Sequence, residues 1–371
     1  MSEAWRYTDL GAVDAFENNA QMAVLSRSTM EAGVPTLQTS VWGRTHLNVG
    51  WFDDVDDTLD LAKCAELGIQ VIRRPFAGGG TAFYDAGCTL MFGVMFPKSI
   101  GHDDLDTEIE KMKPVVLDAL ARIDLGAVSF RGSADLRWQA DRKMGGISAG
   151  DFGRVISIGG FLNIARPNLD LYLQVVRVPD EKFKDKLVKD MREVVCTAED
   201  AAGHPVSYVD FRDAFLGALT DAGIVVKPEP LTEVERGALA KISNRIANDD
   251  SVRRISSDRF RADAPAGTRV GFGNHKGKKL ARAGVALDGD GRIVAAMMAG
   301  DMHVAPPDTL DNVAVALVGA PATDATDLRA RIARVWEAPG VHQADATMGV
   351  TTDDLLAAVE KAATRASEEH A

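Results

Sequence analysis

The chain is short of cysteine, of long apolar runs and of surplus positive charge, and each shortage excludes something. Its 371 residues include three cysteines, Cys64, Cys88 and Cys196. An odd number without CxxC spacing argues against both a disulfide framework and a zinc site. No apolar run is long enough to span a bilayer. The opening MSEAWRYTDL has neither a basic start nor an apolar signal core, so the expected location is cytoplasmic. A formal net charge of −12 argues against a nucleic-acid surface. A P-loop is missing too, because no Gly-Lys-Ser/Thr follows Gly78-Gly79-Gly80.

What is present is a soluble globular composition, 46% hydrophobic and 26% charged, on a chain long enough to make two domains the expectation. The stretch Arg73 to Gly87, RRPFAGGGTAFYDAG, stands out. Gly78, Gly79 and Gly80 let another molecule approach the backbone and can turn successive N–H groups to one concave side. Arg73 and Arg74 just upstream could clamp an anion with paired hydrogen bonds. Flanking apolar residues predict strands at 69–72 and 82–84, giving a strand–loop–strand. Trp42 to Asn48 mixes rings, a cation and amides beside Gly43, the composition of a pocket wall. Asp141 to Gly146 predicts a turn that presents Lys143 next to two glycines, where it could neutralise a carboxylate and a phosphate.

Periodicity predicts a helix over 8–32 stopped by Gly33, a strand over 37–42, a short helix over 58–67 and a strand over 90–96. An amphipathic helix follows over 105–123, then strand fragments at 127–130, 135–138, 155–158 and 161–164, the last two around Gly159-Gly160. Helices are predicted over 179–193, 209–222 and 231–246. Residues 251–278 are poor in aliphatics and predict a linker or crossover. Beyond it, Asp288-Gly289-Asp290-Gly291 marks a hairpin, followed by three helices. The expected fold is α+β: a mixed β-sheet catalytic domain over 1–250 and a small C-terminal α+β domain over 279–371.

The order of Gly43-Arg44, then Arg-Arg with the glycines and Asp85, then Asp135, then Lys143 with Gly146, resembles the lipoate–protein ligase family, of the biotin/lipoate ligase fold. Members look like RRxSGGGAVFHDxGN in the loop; here it reads RRPFAGGGTAFYDAGC. The lysine segment, ADLRWQADRKMGGISA, is similar to the family's Asn-Asp start, Arg-Lys pair and small-residue run. RVPDEKFKDK at 177–186 and the C-terminal domain are also similar to ligases of this group. Departures are one extra residue before the glycines, Ala77 for Ser or Thr, Tyr84 for His, Cys88 for Asn, and Ala134 for Asn. Ile147 breaks the small-residue run, His46 stands for a Gln, and Ser157-Ile158-Gly159-Gly160 for a His-Gly-Thr segment.

The resemblance implies activation of lipoate or octanoate by ATP and Mg²⁺ to an acyl-AMP. The acyl group then passes to a lysine of a lipoyl-acceptor carrier domain, as in a 2-oxoacid dehydrogenase E2, a glycine cleavage H protein or a related lipoate-binding protein. It implies that Lys143 contacts the acyl carboxylate and the α-phosphate. Gly79 and Gly80 would lie against the adenylate, and Thr81, Ala82, Phe83 and Tyr84 would line the nucleotide. Arg74 would flank the acyl pocket, Gly43 and Arg44 would border the chain, and Asp135 would make adenine-side or metal-side contacts. Arg73, Ala77, Gly78 and Gly146 complete the motifs. Two alternatives remain open: a cysteine-dependent octanoyl or lipoyl acyltransferase using a thiol such as Cys88, and a non-catalytic lipoyl-binding relative.

Overall fold

The computed structural model describes residues 4–75, 78–98, 105–132, 135–139, 142–151, 153–177, 193, 195–343 and 349–368. In chain order the strands used below begin with β1 (Trp5–Val13), β2 (Thr36–Trp42), β3 (His46–Val49), β4 (Gln70–Arg73) and β5 (Ala82–Tyr84). Next come β6 (Thr89–Pro97), β7 (Ser129–Arg131), β8 (Asp135–Trp138), β9 (Arg142–Asp151) and β10 (Val155–Asn163). β11 (Val226–Pro228), β12 (Arg269–Lys276), β13 (Leu280–Leu287) and β14 (Ile293–Gly300) complete the set. The fold is α+β with a mixed sheet, as expected. The chain divides into two compact units. The first is Met1–His46, Phe83–Gln174 and Val178–Ala247; the second is Leu47–Ala82, Val175–Arg177 and Asn248–Ala371.

The first unit is built on an eight-stranded sheet in the order β11-β1-β2-β6-β10-β9-β8-β7. β1 runs parallel to β2 and β11, and β2, β6, β10, β9, β8 and β7 are successively antiparallel. One face packs against the helices Leu105–Ala121 and Tyr208–Asp221, burying Val94, Ile158, Val116, Phe211 and Phe215 in the main core. The helix Ala15–Ala32 lies on β2, β6 and β10 and against the helix Glu233–Ile246. Leu25, Met95 and Val155 make a smaller core there.

Three local expectations change. The predicted helix over 8–32 is β1 followed by a helix that starts at Ala15. Asp14 sets the boundary: its side chain accepts from the N–H groups of Phe16 and Glu17, and Glu17 bonds back, a capping box. Lys143 sits in β9 rather than on a turn. Gly159 and Gly160 lie inside one continuous strand, β10, paired on both sides. The predicted helix over 179–193 lies outside the described residues except for Glu193.

The second unit carries the antiparallel sheet β12-β13-β14 with the helix Thr352–Glu368 laid across β12 and β13. Its extent differs from the division expected at 251–278. Phe52 is fully buried in the same core as Val285, Met298 and Val359, and Arg73 bonds to the carbonyls of Val252 and Ile255, so residues 47–82 belong to this unit. Residues 251–278 are ordered, with the helix Ser257–Asp263 and β12. Two of their polar side chains meet a buried carboxylate: Asp56 takes Arg253 at 3.0 Å and the Ser256 hydroxyl.

Candidate functional site

The first unit's site begins with a row of residues in register. Gln38 on β2 pairs with Gly93 on β6, Gly93 with Gly159 on β10, and Gly159 with Ser148 on β9. Side chains alternate across a strand, so this row faces the helix Ala15–Ala32 while Phe92, Ile147 and Ile158 turn into the main core. Two of its four members have no side chain, so the sheet's floor is bare there. A cavity of about 550 Å³ results, lined by Gly159, Ser148, Gln38, Phe161 and Met91 and covered by Asn18, Gln21 and Met22 of the helix. Gly160 next door serves packing instead. A Cβ there would lie 2.3 Å from the Phe92 ring, whereas one at Gly159 would meet only the Phe92 carbonyl, at 3.7 Å.

Charge enters at one side of this cavity. Asp135 on β8 pairs with Gly146, and Lys143 with Arg137, across an irregular register. Lys143 Nζ lies 2.7 Å from Asp135 Oδ1 and 5.8 Å from the Phe161 ring centroid. Arg137 donates to Asp135 Oδ2. Burial works to raise the Asp135 pKa, but hydrogen bonds from Lys143 and Arg137 outweigh it and hold the carboxyl below its ordinary value. The arrangement keeps a partly exposed ammonium extended at a cavity wall, where it can meet a carboxylate or phosphate.

Asp135, Lys143 and Gly146 are thus brought together on the cavity lining. Tyr84 stacks on His46, 5.1 Å between centroids, and His46 packs against Trp42 at 4.3 Å. His46 is fully buried, so the expected pocket wall is here an aromatic packing cluster. Phe83 stacks on Tyr172 at 5.3 Å, and Arg44 is exposed.

The glycine loop belongs to the second unit. Ala77 lies outside the described residues. Arg73 corrects the expected anion clamp. It is 1% exposed, and all five of its N–H groups are engaged by carbonyls of Gly50, Trp51, Asp53, Val252 and Ile255. Arg74 donates to the carbonyls of Asn48, Gly78, Gly79 and Gly80 and so shapes the loop from inside. The close approach at Gly78 and Gly79 is made by the chain itself. A Cβ at Gly78 would lie 2.0 Å from the Met302 carbonyl oxygen, to which the Gly79 N–H donates at 3.1 Å with φ at +82°. Gly80 is exposed, and Thr81 leading into Ala82 anchors the loop's far end through a 2.8 Å bond to Asp53.

Sequence reasoning missed Gln21, Gln38 and Gly93. Gln38 is followed by the polar Thr39 and Ser40 in the strand over 37–42, so no local signal set it apart. None of the cysteines lines the cavity. Burial pushes Cys64 and Cys88 up to about 11 and raises Cys196, whose thiol sits in the main core.

The lipoyl protein ligase A/B catalytic domain matches residues 14–220, more than half of the sequence. The chain belongs to this family. Among its relatives, lipoate-protein ligase A subunit 1 of Thermoplasma acidophilum is 25% identical over 207 residues, 53% of this chain and 76% of that protein. Octanoyltransferase LipM of Moorella thermoacetica is 22% identical over 68% of this chain and 99% of its own. Solved structures share the fold. LipL1 of P. falciparum, in complex with lipoate, gives a TM-score of 0.60 at 12% identity over 92% of this chain and 96% of that one. A bipartite lipoate protein ligase of Thermoplasma acidophilum gives 0.57 at 22% identity over 68% and 97%.

Proposed function

We propose that this family member is an ATP-dependent lipoate–protein ligase. The observation that carries the proposal is the Lys143–Asp135 pair at the wall of a glycine-floored cavity. A carboxylate is a poor electrophile. Attack of its oxygen on the α-phosphorus of Mg²⁺-ATP forms the acyl-AMP as the bond to pyrophosphate breaks. Attack of a carrier lysine's amine on the acyl carbon then forms an amide and releases AMP. Lys143 offers one positive charge to both anionic partners as they meet, and the cavity holds them in position to react. Among the described residues no group of three or more His, Cys, Asp or Glu forms a metal cage. None is required, since Mg²⁺ arriving on ATP takes most of its oxygens from phosphates and water. The acyl group is lipoate or octanoate, and the acceptor is a lipoyl carrier domain. The Thermoplasma ligase, studied together with its E2 lipoyl domain, supports that choice of partner. No helix among the described residues is long and apolar enough to cross a membrane, in keeping with a cytoplasmic enzyme.

The octanoyltransferase relatives favour a second reading, thioester transfer through a cysteine. The position of the thiols counts against it: none lines the cavity, Cys64 and Cys196 are buried, and partial burial raises the pKa of the half-buried Cys88. Pyrophosphate release from ATP and Mg²⁺ with lipoate, octanoate or biotin separates the two. Release with lipoate or octanoate supports the ligase. Octanoyl transfer from a carrier without ATP, blocked by thiol alkylation, would replace it.

A further inference from the structure

β9 brings Lys143 to the cavity by breaking its own alternation. Lys143 and Gly146 both line the cavity, and Met144 and Ile147 both lie in the main core. In a regular strand, residues three apart face opposite sides. The register removes the conflict. Leu136 of β8 pairs with Gly145, and the next residue, Arg137, pairs with Lys143, so Met144 is the extra residue of a bulge. The bulge also sets Arg137 directly opposite Lys143, a placement in which like charges repel. Asp135, two residues before Arg137 on β8, answers both cations. Its Oδ1 takes Lys143 Nζ at 2.7 Å and its Oδ2 accepts from Arg137 Nη2. Lys143 and Asp135 line the cavity, whereas Arg137 is not among the described residues that do.

We infer that Arg137 is a positioning residue: it keeps Asp135 charge-paired when Lys143 leaves that carboxylate for the carboxylate of the bound acid. This rests on the reading of the cavity as the acyl site. An ammonium already held by one carboxylate has to exchange partners before it can serve another. Without Arg137, that exchange strips Asp135 of both cations and leaves two like charges close together. With Arg137 in place, the guanidinium stays on Oδ2, and its repulsion of Lys143 favours the departure of the ammonium. Asp135 thus parks Lys143 at the wall, and Arg137 makes the parking reversible. All three side chains are partly exposed, so the effect is modest in size.

The test is calorimetric titration of the full chain with octanoate and with lipoate, in the absence of ATP. Arg137→Gln is expected to weaken both acids roughly fivefold, the upper range for partly exposed charge pairs. Arg137→Lys, which keeps the charge, should restore most of that loss. The deciding arm is the Asp135→Asn background, where no carboxylate holds Lys143 back. There Arg137→Gln should change affinity by less than about twofold, because the two residues act as one unit. Asp135→Ser serves in its place if Asp135→Asn melts early. Wild-type affinity in Arg137→Gln, or the same loss with and without the Asp135 carboxylate, overturns the inference and leaves the acyl site standing. Binding of neither acid by the wild-type chain removes the acyl site and the inference together.

Discussion

Lys143 Nζ and Asp135 Oδ1 lie 2.7 Å apart on neighbouring antiparallel strands. The pair is partly exposed, so its worth is not mainly stability. Its consequence is positional: the carboxylate holds the ammonium out over Phe161, at the cavity wall. Replacing Lys143 with Ala should lower acyl-dependent pyrophosphate release by roughly two to three orders of magnitude, the usual cost of losing a charge aimed at the reacting groups. The melting temperature should move by only a few degrees. Full activity in Lys143→Ala would show that the site has been misassigned.

Two neighbouring glycines should respond in opposite ways. Gly159→Leu places a side chain in open cavity space, so acid binding should weaken at least about tenfold while thermal stability holds. Gly160→Ala drives a methyl into the Phe92 ring and should cost about 1–3 kcal/mol in denaturant unfolding. If both variants lose stability equally, the alternating faces of β10 are wrongly assigned.

His46 predicts a pH dependence of stability. Burial first, only partly opposed by the bond to the Arg44 carbonyl, lowers its pKa to about 4. The unfolded chain therefore binds this proton near pH 6.5 and the folded chain does not. Stability is full above about 6.5 and falls as pH drops toward 4, by up to roughly 3 kcal/mol. Urea unfolding of wild type and His46→Asn across that window measures it. The variant's slope should be shallower, and parallel slopes would remove His46 as the source.

Arg73 should matter for folding. Arg73→Met removes the buried guanidinium that ties together the carbonyls of Gly50, Asp53, Val252 and Ile255, a loss of at least about 3 kcal/mol. The readout is denaturant unfolding of the second unit. A variant of undiminished stability with a raised KM for ATP would restore the anion-clamp role.

Replacing Cys64, Cys88 and Cys196 with Ala or Ser should leave ATP-dependent acyl transfer within about threefold of wild type, since no thiol stands at the cavity. Loss of transfer with adenylation intact would move one of them into the mechanism.

Residue spacing alone carried the α+β class, most of the helices after 105 and the Asp288–Gly291 hairpin, while Lys143, Asp135 and Gly146 were singled out by the resemblance of their segments to the family's motifs. These depend on periodicity, turn chemistry and short motifs, all local in the chain. Tertiary structure alone decided three things. It made Arg73 a buried bracket, because it ties the carbonyls of Gly50, Trp51 and Asp53 to those of Val252 and Ile255, some 180 positions away in sequence. It drew residues 47–82 into the second unit, with Phe52 in its core and Arg73 on the carbonyls of Val252 and Ile255. It also built the cavity, since Gln38, Gly93, Gly159 and Ser148 share one row only after β2 and β6 pair in register with the neighbouring strands β10 and β9. Strand register is a long-range property, set by which faces are buried together, and no local pattern in this sequence encodes it.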